Sequence, residues 1–473
     1  MAVDAAGFAA VDDLAASFVA SGRAPSLAYG VVADGHLVHS GGAGRSPGSA
    51  AVPTAASVFR IASMTKSFTA AAVLLLRDEG RLRLDDPIVD YVPAAAGLSP
   101  VEGQGLTLRL LLTMAGGFPT DDPWADRQES LSPRTFDALL AAGPRMAAVP
   151  GTAFQYSNLG YAIAGRAVAV AAGAPYRDFV VERLLRPLGL DRTRFAAVDL
   201  AGADLRAGYR RSGDRWVAVP FDVPGEFSPI GGLFSTVADL AIWIAGFLSA
   251  HRPQPIGDGH PLSAASRREM QQLQRFVGVA ALPAPDRVAA PHALARGYGL
   301  GLTVEHGTRW GEVVGHSGGY PGFGSNMRWH PASGIGVVML ANSTYAGPAA
   351  LAQSALDVLV NGAAAPAPQP WPELAGHVAA ARSLLAGWDD ALADAVFAPN
   401  MDLDVPRAER RALIAAAVAR LGPLDPATAP DERALGPAAA EFALHGRDGS
   451  LRVELRLSPE PAPRIQALVL HES

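Results

Sequence analysis

Strand-like and helix-like text alternate in large blocks along the first part of this 473-residue chain, and the order of the blocks limits what it can fold into. Leu27–Val32 and His36–His39 are short β-like runs joined by Asp34-Gly35, a hairpin signal. The same texture returns only after Ala295, in Gly299–Val304, Glu312–Gly315, Gly324–Trp329 and Ile335–Ala341. Between these ends the text is helical. Ala9–Ala20 reads as an amphipathic first helix with Val11, Leu14, Phe18 and Val19 on one side, and Val58–Leu76 as an apolar helix. Gly80–Pro87 is a loop carrying Arg81 and Arg83. Leu106 to roughly Val279 is mostly helix broken by Gly and Pro, clearest at Phe136–Ala142 and Val237–Leu248. Strands that stand at both ends must find each other. The expected fold is therefore α+β, an α/β sandwich in which one antiparallel sheet is built from the two ends and an all-helical subdomain is inserted. Ser63 would start a helix at the seam between the layers, where clefts form.

Asn361–Pro372 is rich in Ala and Pro, a stiff composition that separates domains. The expected division is a catalytic-type domain at 1–362, a linker at 363–372 and a small α+β domain at 373–473. In the last, Leu374–Ala395 and Ala408–Leu421 read as helices. Leu451, Val453, Leu455 and Leu457 alternate with Arg452, Glu454 and Arg456 after Asp448-Gly449, and Ile465–Leu470 is a further strand. No catalytic constellation stands out there. Asp402 and Asp404 suggest a metal only weakly, and His377, Trp371 and Trp388 read as packing. Covering a cleft, forming a homodimer and plain stabilisation stay open for this domain.

Several function classes fall away on composition. A net charge of −6 with a pI near 6.0 leaves no basic footprint for nucleic acid. The absence of Cys removes disulfides, thiolate metal sites and cysteine nucleophiles. No apolar run reaches the roughly 18 residues of a membrane span. Asp4, Asp12 and Asp13 interrupt any signal-like apolar stretch, so a soluble, cytoplasmic protein is expected. No cofactor and no metal are implied.

Lys66 is the only lysine, against 38 Arg, since Lys and Arg together number 39. A guanidinium stays protonated, whereas a partly buried amine can lose its proton and act as a base. Lys66 closes the tetrad Ser63-Met64-Thr65-Lys66, whose spacing stacks Ser and Lys one turn apart on a helix. That arrangement suits a serine nucleophile with an amine base. The bland reading is a chance tetrad in an Ala-rich helix. Tyr156-Ser157-Asn158 is either a turn and helix cap, or a Tyr sharing a proton with Lys66 and an Asn holding a substrate amide. A Tyr beside an ammonium has its phenolate favoured. Gly315-His316-Ser317-Gly318-Gly319 is either a Gly-rich hairpin end or a strand lining a cleft, whose backbone N–H would join that of Ser63 in an oxyanion hole.

Three motifs in this order resemble the serine β-lactamase-like superfamily: class C β-lactamases, D,D-carboxypeptidases, D-aminopeptidases and related esterases. Ser63-x-x-Lys66, Tyr156-x-Asn158 and His316-Ser317-Gly318 match residue by residue. The flanks Phe59–Thr69, Pro187–Leu190 and Gly231–Leu240 are similar too, so the resemblance covers roughly residues 8 to 345. It implies Ser63 as nucleophile, Lys66 and Tyr156 as proton-transfer pair, and Ser63 and Gly319 as oxyanion donors. Asn158, His316, Ser317 and Gly318 would bind substrate. Class C β-lactamases carry Lys where His316 stands, and a mostly neutral His anchors a substrate carboxylate less well. Leu112–Gly117 and the acidic, Trp-bearing stretch 120–126 also depart from the pattern. The latter either borders the pocket and selects against penicillins, or is a solvated loop. The expectation is a serine hydrolase acting through an acyl-enzyme on a small-molecule ester, amide or peptide.

Two rivals remain. The family fold also serves non-catalytic, penicillin-binding-like modules. In addition, Gly315–Gly319 spells G-x-S-x-G, the α/β-hydrolase nucleophile elbow, with Ser317 as nucleophile. Pro321, Gly322 and Gly324 oppose the helix that an elbow requires.

Overall fold

A computed structural model describes residues 4–98, 105–252, 258–282, 292–361, 369–425 and 432–472. Two compact units, 1–365 and 366–473, divide the chain.

The first unit is built on an eight-stranded sheet. Its spatial order is His36–Gly44, Ser26–Ala33, Ile335–Ala341, Phe323–His330, Gly311–Tyr320, Thr303–Gly307, His292–Tyr298 and Arg275–Leu282. Every neighbouring pair is antiparallel. The two ends of the domain meet where Leu27 pairs with Ala341 and Val31 with Val337. Asp34 and Gly35 both take positive φ (51° and 82°), the backbone a two-residue hairpin requires. Ser26–Ala33 is buried on both faces. Leu27, Tyr29 and Val31 pack with Val11, Phe18 and Leu356 from helices Ala5–Ala20 and Ala349–Asn361. Ala28 and Val32 join Trp243 and Ile244 of helix Val237–Ser249 in the larger core. The helical insert includes Leu108–Leu112, Pro133–Ala141 and Asn158–Ala172.

Four local expectations are corrected. Val58–Leu76 is not one helix: Phe59–Arg60 is a short strand paired with Phe234–Ser235, Ala62–Met64 a 3₁₀ turn, and the α-helix runs Thr65–Asp78. A buried strand and a buried helix both read as apolar text, and the break comes from Ala62 at φ 50°. The largely helical middle contains a hairpin, Gly208–Ser212 with Arg215–Val219, and ends in strand Arg275–Leu282. Residues 299–302 connect two strands rather than forming one. Ser317 lies inside an antiparallel strand that turns into another strand at Tyr320↔Phe323, which overturns the α/β-hydrolase elbow.

The second unit holds four antiparallel strands in sequential order, Arg433–Gly436, Ala439–Gly446, Gly449–Leu457 and Ile465–Glu472. Leu451, Val453, Leu455 and Leu457 are buried, as their alternation requires, against Val378, Leu385 and Ile414 of the helices. The expected helix 374–395 is broken after Ala386, and Asp389 caps the next one through Ala391 N (2.9 Å). Asp402 is paired with Arg407 at 2.5 Å. No metal-type cluster occurs among the described residues. Most of the expected linker, 363–368, lies outside the described residues, and Trp371 already donates to Pro437 O (2.8 Å). Among the described residues no helix is long and apolar enough to cross a membrane.

Candidate active site

Ser63 sits where the strand Phe59–Arg60 turns into the helix Thr65–Asp78. Ala62 bends the chain in the left-handed region, a conformation that costs a residue with a Cβ roughly 1–3 kcal/mol and persists only when its surroundings hold it. Ser325 Oγ donates to Ile61 O at 2.7 Å. Gly318 lets the strand come close: a Cβ there would stand 2.4 Å from Ile61 O.

Lys66 is fully buried, and its Nζ donates to Ser63 Oγ at 2.9 Å and to Ile230 O at 2.8 Å. Burial pulls its pKa down to about 8, against the opposing pull of Asp122, Asp126 and Asp121. The amine is thus fixed on the hydroxyl and can give up its proton near neutral pH. Tyr156 is half-buried and lines the same cleft as Ser63, with its ring centroid 5.0 Å from Lys66 Nζ. The expected phenolate is corrected: burial and the Asp122 charge push the phenol well above its ordinary range, so Tyr156 stays protonated.

His316 is buried and neutral. Its pKa is pushed down to about 3, by burial first and then by the Lys66 charge. Nδ1–H faces Ser317 O at 2.5 Å, and on that tautomer Nε2 accepts from Tyr298 Oη at 2.9 Å. Ser317 is exposed, with Oγ accepting from Asn326 Nδ2 at 2.8 Å. Asn158 departs from its expected place. It opens helix Asn158–Ala172, has no exposed surface and turns its Nδ2 to Asp122 Oδ1 (2.7 Å), while its own Oδ1 has no partner. Asp121 accepts from the backbone N–H groups of Asn158 (2.7 Å) and Leu159 (3.0 Å), anchoring the acidic loop to the N-terminus of that helix.

These groups surround a cavity of about 370 Å³, lined among others by Ser63, Asp122, Tyr156, His316, Gly319 and Tyr345. The acidic stretch therefore borders the cleft, through Asp122. Trp124 lines a different hollow, with Phe118 and Leu159. Sequence reasoning missed the Ile230 carbonyl, Tyr298 and Tyr345, and took Asp126 only as the last residue of the acidic stretch 120–126. A backbone acceptor carries no residue signal, and the others act from far along the chain.

The fold is the α+β sandwich of penicillin-binding and β-lactamase-like proteins, with a Ser-x-x-Lys turn at its seam. Residues 11–361 match the family profile described as Beta-lactamase, and the chain belongs to that family. It is 27% identical over 304 residues to D-alanyl-D-alanine-carboxypeptidase/endopeptidase AmpH of Escherichia coli K12, a match covering 62% of this chain and 73% of that one. It is 26% identical over 285 residues to protein flp of Staphylococcus aureus, covering 60% of this chain and 52% of that one. Among solved structures, the octameric penicillin-binding protein homologue from Pyrococcus abyssi superposes with a TM-score of 0.65 at 22% identity, over 98% of this chain and 99% of that one. A D-stereospecific amidohydrolase from Streptomyces sp. gives 0.57 at 23% identity, over 74% and 98%.

Proposed function

We propose that this member of the β-lactamase family is a serine hydrolase that works through an acyl-enzyme on an ester, small amide or peptide. The observation that carries this reading is the 2.9 Å bond from Lys66 Nζ to Ser63 Oγ, made by a buried amine whose pKa is pulled to about 8. As free base, Lys66 takes the hydroxyl proton while Ser63 Oγ bonds to the substrate carbonyl carbon. The backbone N–H groups of Ser63 and Gly319 receive the oxyanion, each such donor being worth about 3 kcal/mol. The proton then passes from Lys66, by way of the Tyr156 hydroxyl, to the leaving alcohol or amine as its bond to carbon breaks. Water repeats the sequence in reverse and frees the acid. Asn158 is a positioning residue, holding Asp122 at the cleft wall (2.7 Å).

The substrate reading follows from charge. His316 is neutral where a carboxylate-anchoring Lys would stand, and Asp122 adds a negative wall. Esters and small amides or peptides without a carboxylate at that position suit this cleft better than penicillins. AmpH is named a carboxypeptidase and endopeptidase, which supports a peptide or amide bond as the scissile one.

Intact mass after exposure to a fluorophosphonate and, separately, to a penicillin tests the reading. The expected result is one fluorophosphonate adduct, mapped to Ser63, with little penicillin adduct. No adduct from either reagent would favour a non-catalytic binding protein.

A further inference from the structure

Tyr345 stands at the cleft mouth, and nothing in the motifs marks it. It follows the strand Ile335–Ala341 and takes φ 48°, a left-handed backbone that a bulky residue keeps only when its surroundings enforce it. Two contacts do so. Its backbone N–H donates to Phe323 O at 3.1 Å, and its hydroxyl donates to Asp126 Oδ2 at 2.6 Å. The second bond joins residues 219 positions apart, one following a strand of the sheet and the other in the acidic loop of the helical insert. Asp126 is 3% exposed, so the anchor is fixed.

The ring itself leans on Gly319. A Cβ added to Gly319 would lie 2.7 Å from Tyr345 Cδ1. Tyr345 nonetheless keeps 46% of its surface exposed and lines the cavity that holds Ser63. One side of the ring therefore covers the peptide assigned to the oxyanion hole, and the other is open to whatever enters. At about 370 Å³ the cavity is near the small end for ligand sites.

We propose that Tyr345 determines acyl-group specificity, its latched ring limiting the width of the substituent that lies beside the reacting carbonyl. The cleft then accepts slender acyl groups and excludes those branched next to the carbonyl. The proposal rests on Ser63 being the nucleophile. Loss of the hydroxyl frees the ring to swing, and loss of the ring opens the space outright.

Two fluorophosphonates differing only in the carbon substituent on phosphorus, one linear and one branched, test this on the full chain. The rate of Ser63 labelling is measured for wild type, Tyr345→Phe and Tyr345→Ala, with circular dichroism confirming the fold of each. A pocket discriminates single methyl groups by about 10–200-fold, so the wild type should favour the linear probe by at least about 10-fold. Tyr345→Ala should bring the two rates within about 3-fold of each other, and Tyr345→Phe should lie between. Labelling of Ser63 with the same linear-to-branched ratio in Tyr345→Ala as in wild type overturns the proposal while leaving the nucleophile intact. Absence of any Ser63 label in wild type removes the nucleophile reading, and this one with it.

Discussion

The Arg60 guanidinium lies 3.0 Å from the Glu129 carboxylate, and each side chain is only 2% exposed. Arg60 Nε also donates to Gly231 O (3.1 Å), while Glu129 Oε1 accepts from Ser228 Oγ (2.7 Å). The pair thus clamps the short helix Ser228–Gly231, whose Ile230 carbonyl receives Lys66, onto the strand that leads into Ser63. Arg60 further stacks on Tyr320, 3.8 Å from its centroid, the last residue of strand Gly311–Tyr320.

Removing Glu129 leaves the buried Arg60 guanidinium with only the Asp222 carboxylate, 3.9 Å away, as its counter-charge. Glu129→Leu is expected to lower stability by about 3–5 kcal/mol. Arg60→Met combined with Glu129→Leu should recover much of that, because neither charge is then buried alone. Urea unfolding of the three proteins measures both. A single variant costing under about 1 kcal/mol would show that the pair is not a clamp.

Lys66 sets a pH requirement. With its pKa near 8 the amine is mostly protonated at lower pH and cannot accept the Ser63 proton; above that it can. The rate of Ser63 acylation should rise about tenfold per pH unit up to roughly 8 and then level off. Lys66→Arg should lose this limb together with nearly all activity, since a guanidinium does not deprotonate. A profile flat from pH 6 to 9 in the wild type would exclude the amine as base.

The parts legible from sequence are those with local signatures. The sole Lys led to Ser63–Lys66, and Asp34-Gly35 gave the hairpin from which the sheet's two ends could be inferred. The parts that were not legible depend on distant partners. Nothing around Arg60 signals Glu129, and nothing around Tyr345 signals Asp126. The Tyr156 phenol is pushed up, against expectation, because the sequence shows the nearby Lys66 but neither the burial nor the Asp122 charge that raise it. Asn158 kept its motif position, but its side chain faces the acidic loop rather than the cleft.

His316 tests the proposed preference against substrate carboxylates. Its neutral ring is held by Tyr298 and Ser317, leaving no cation at that point of the strand. In His316→Lys, an ammonium would offer a charge-assisted hydrogen bond worth about 1.5–3 kcal/mol to a carboxylate. The ratio of penicillin to fluorophosphonate labelling at Ser63 should therefore rise at least about 10-fold. An unchanged ratio would mean that His316 does not set the proposed preference against penicillins, with Asp122 the next residue to vary.

Lys66 should also leave a mark on stability, with a definite sign. Its pKa is about 8 in the fold and 10.5 as the ordinary value. Between those pH values the unfolded chain binds a proton that the native protein has lost, so this group makes stability increase with pH across that window. Below about 8 both states are protonated and the full penalty of burying an ammonium is present. That penalty is on the order of 3 kcal/mol, the free-energy equivalent of lowering the pKa from 10.5 to about 8. Lys66→Met carries no such term, and its other losses, such as the bond to Ile230 O, do not titrate over this range. The stability of Lys66→Met minus that of wild type should therefore fall by about 3 kcal/mol between pH 7 and 10.5. Urea titrations of both proteins across that range measure the difference directly, and groups common to the two cancel. A difference independent of pH would mean that the amine is not depressed, and the acid limb expected in the acylation rate would lose its origin.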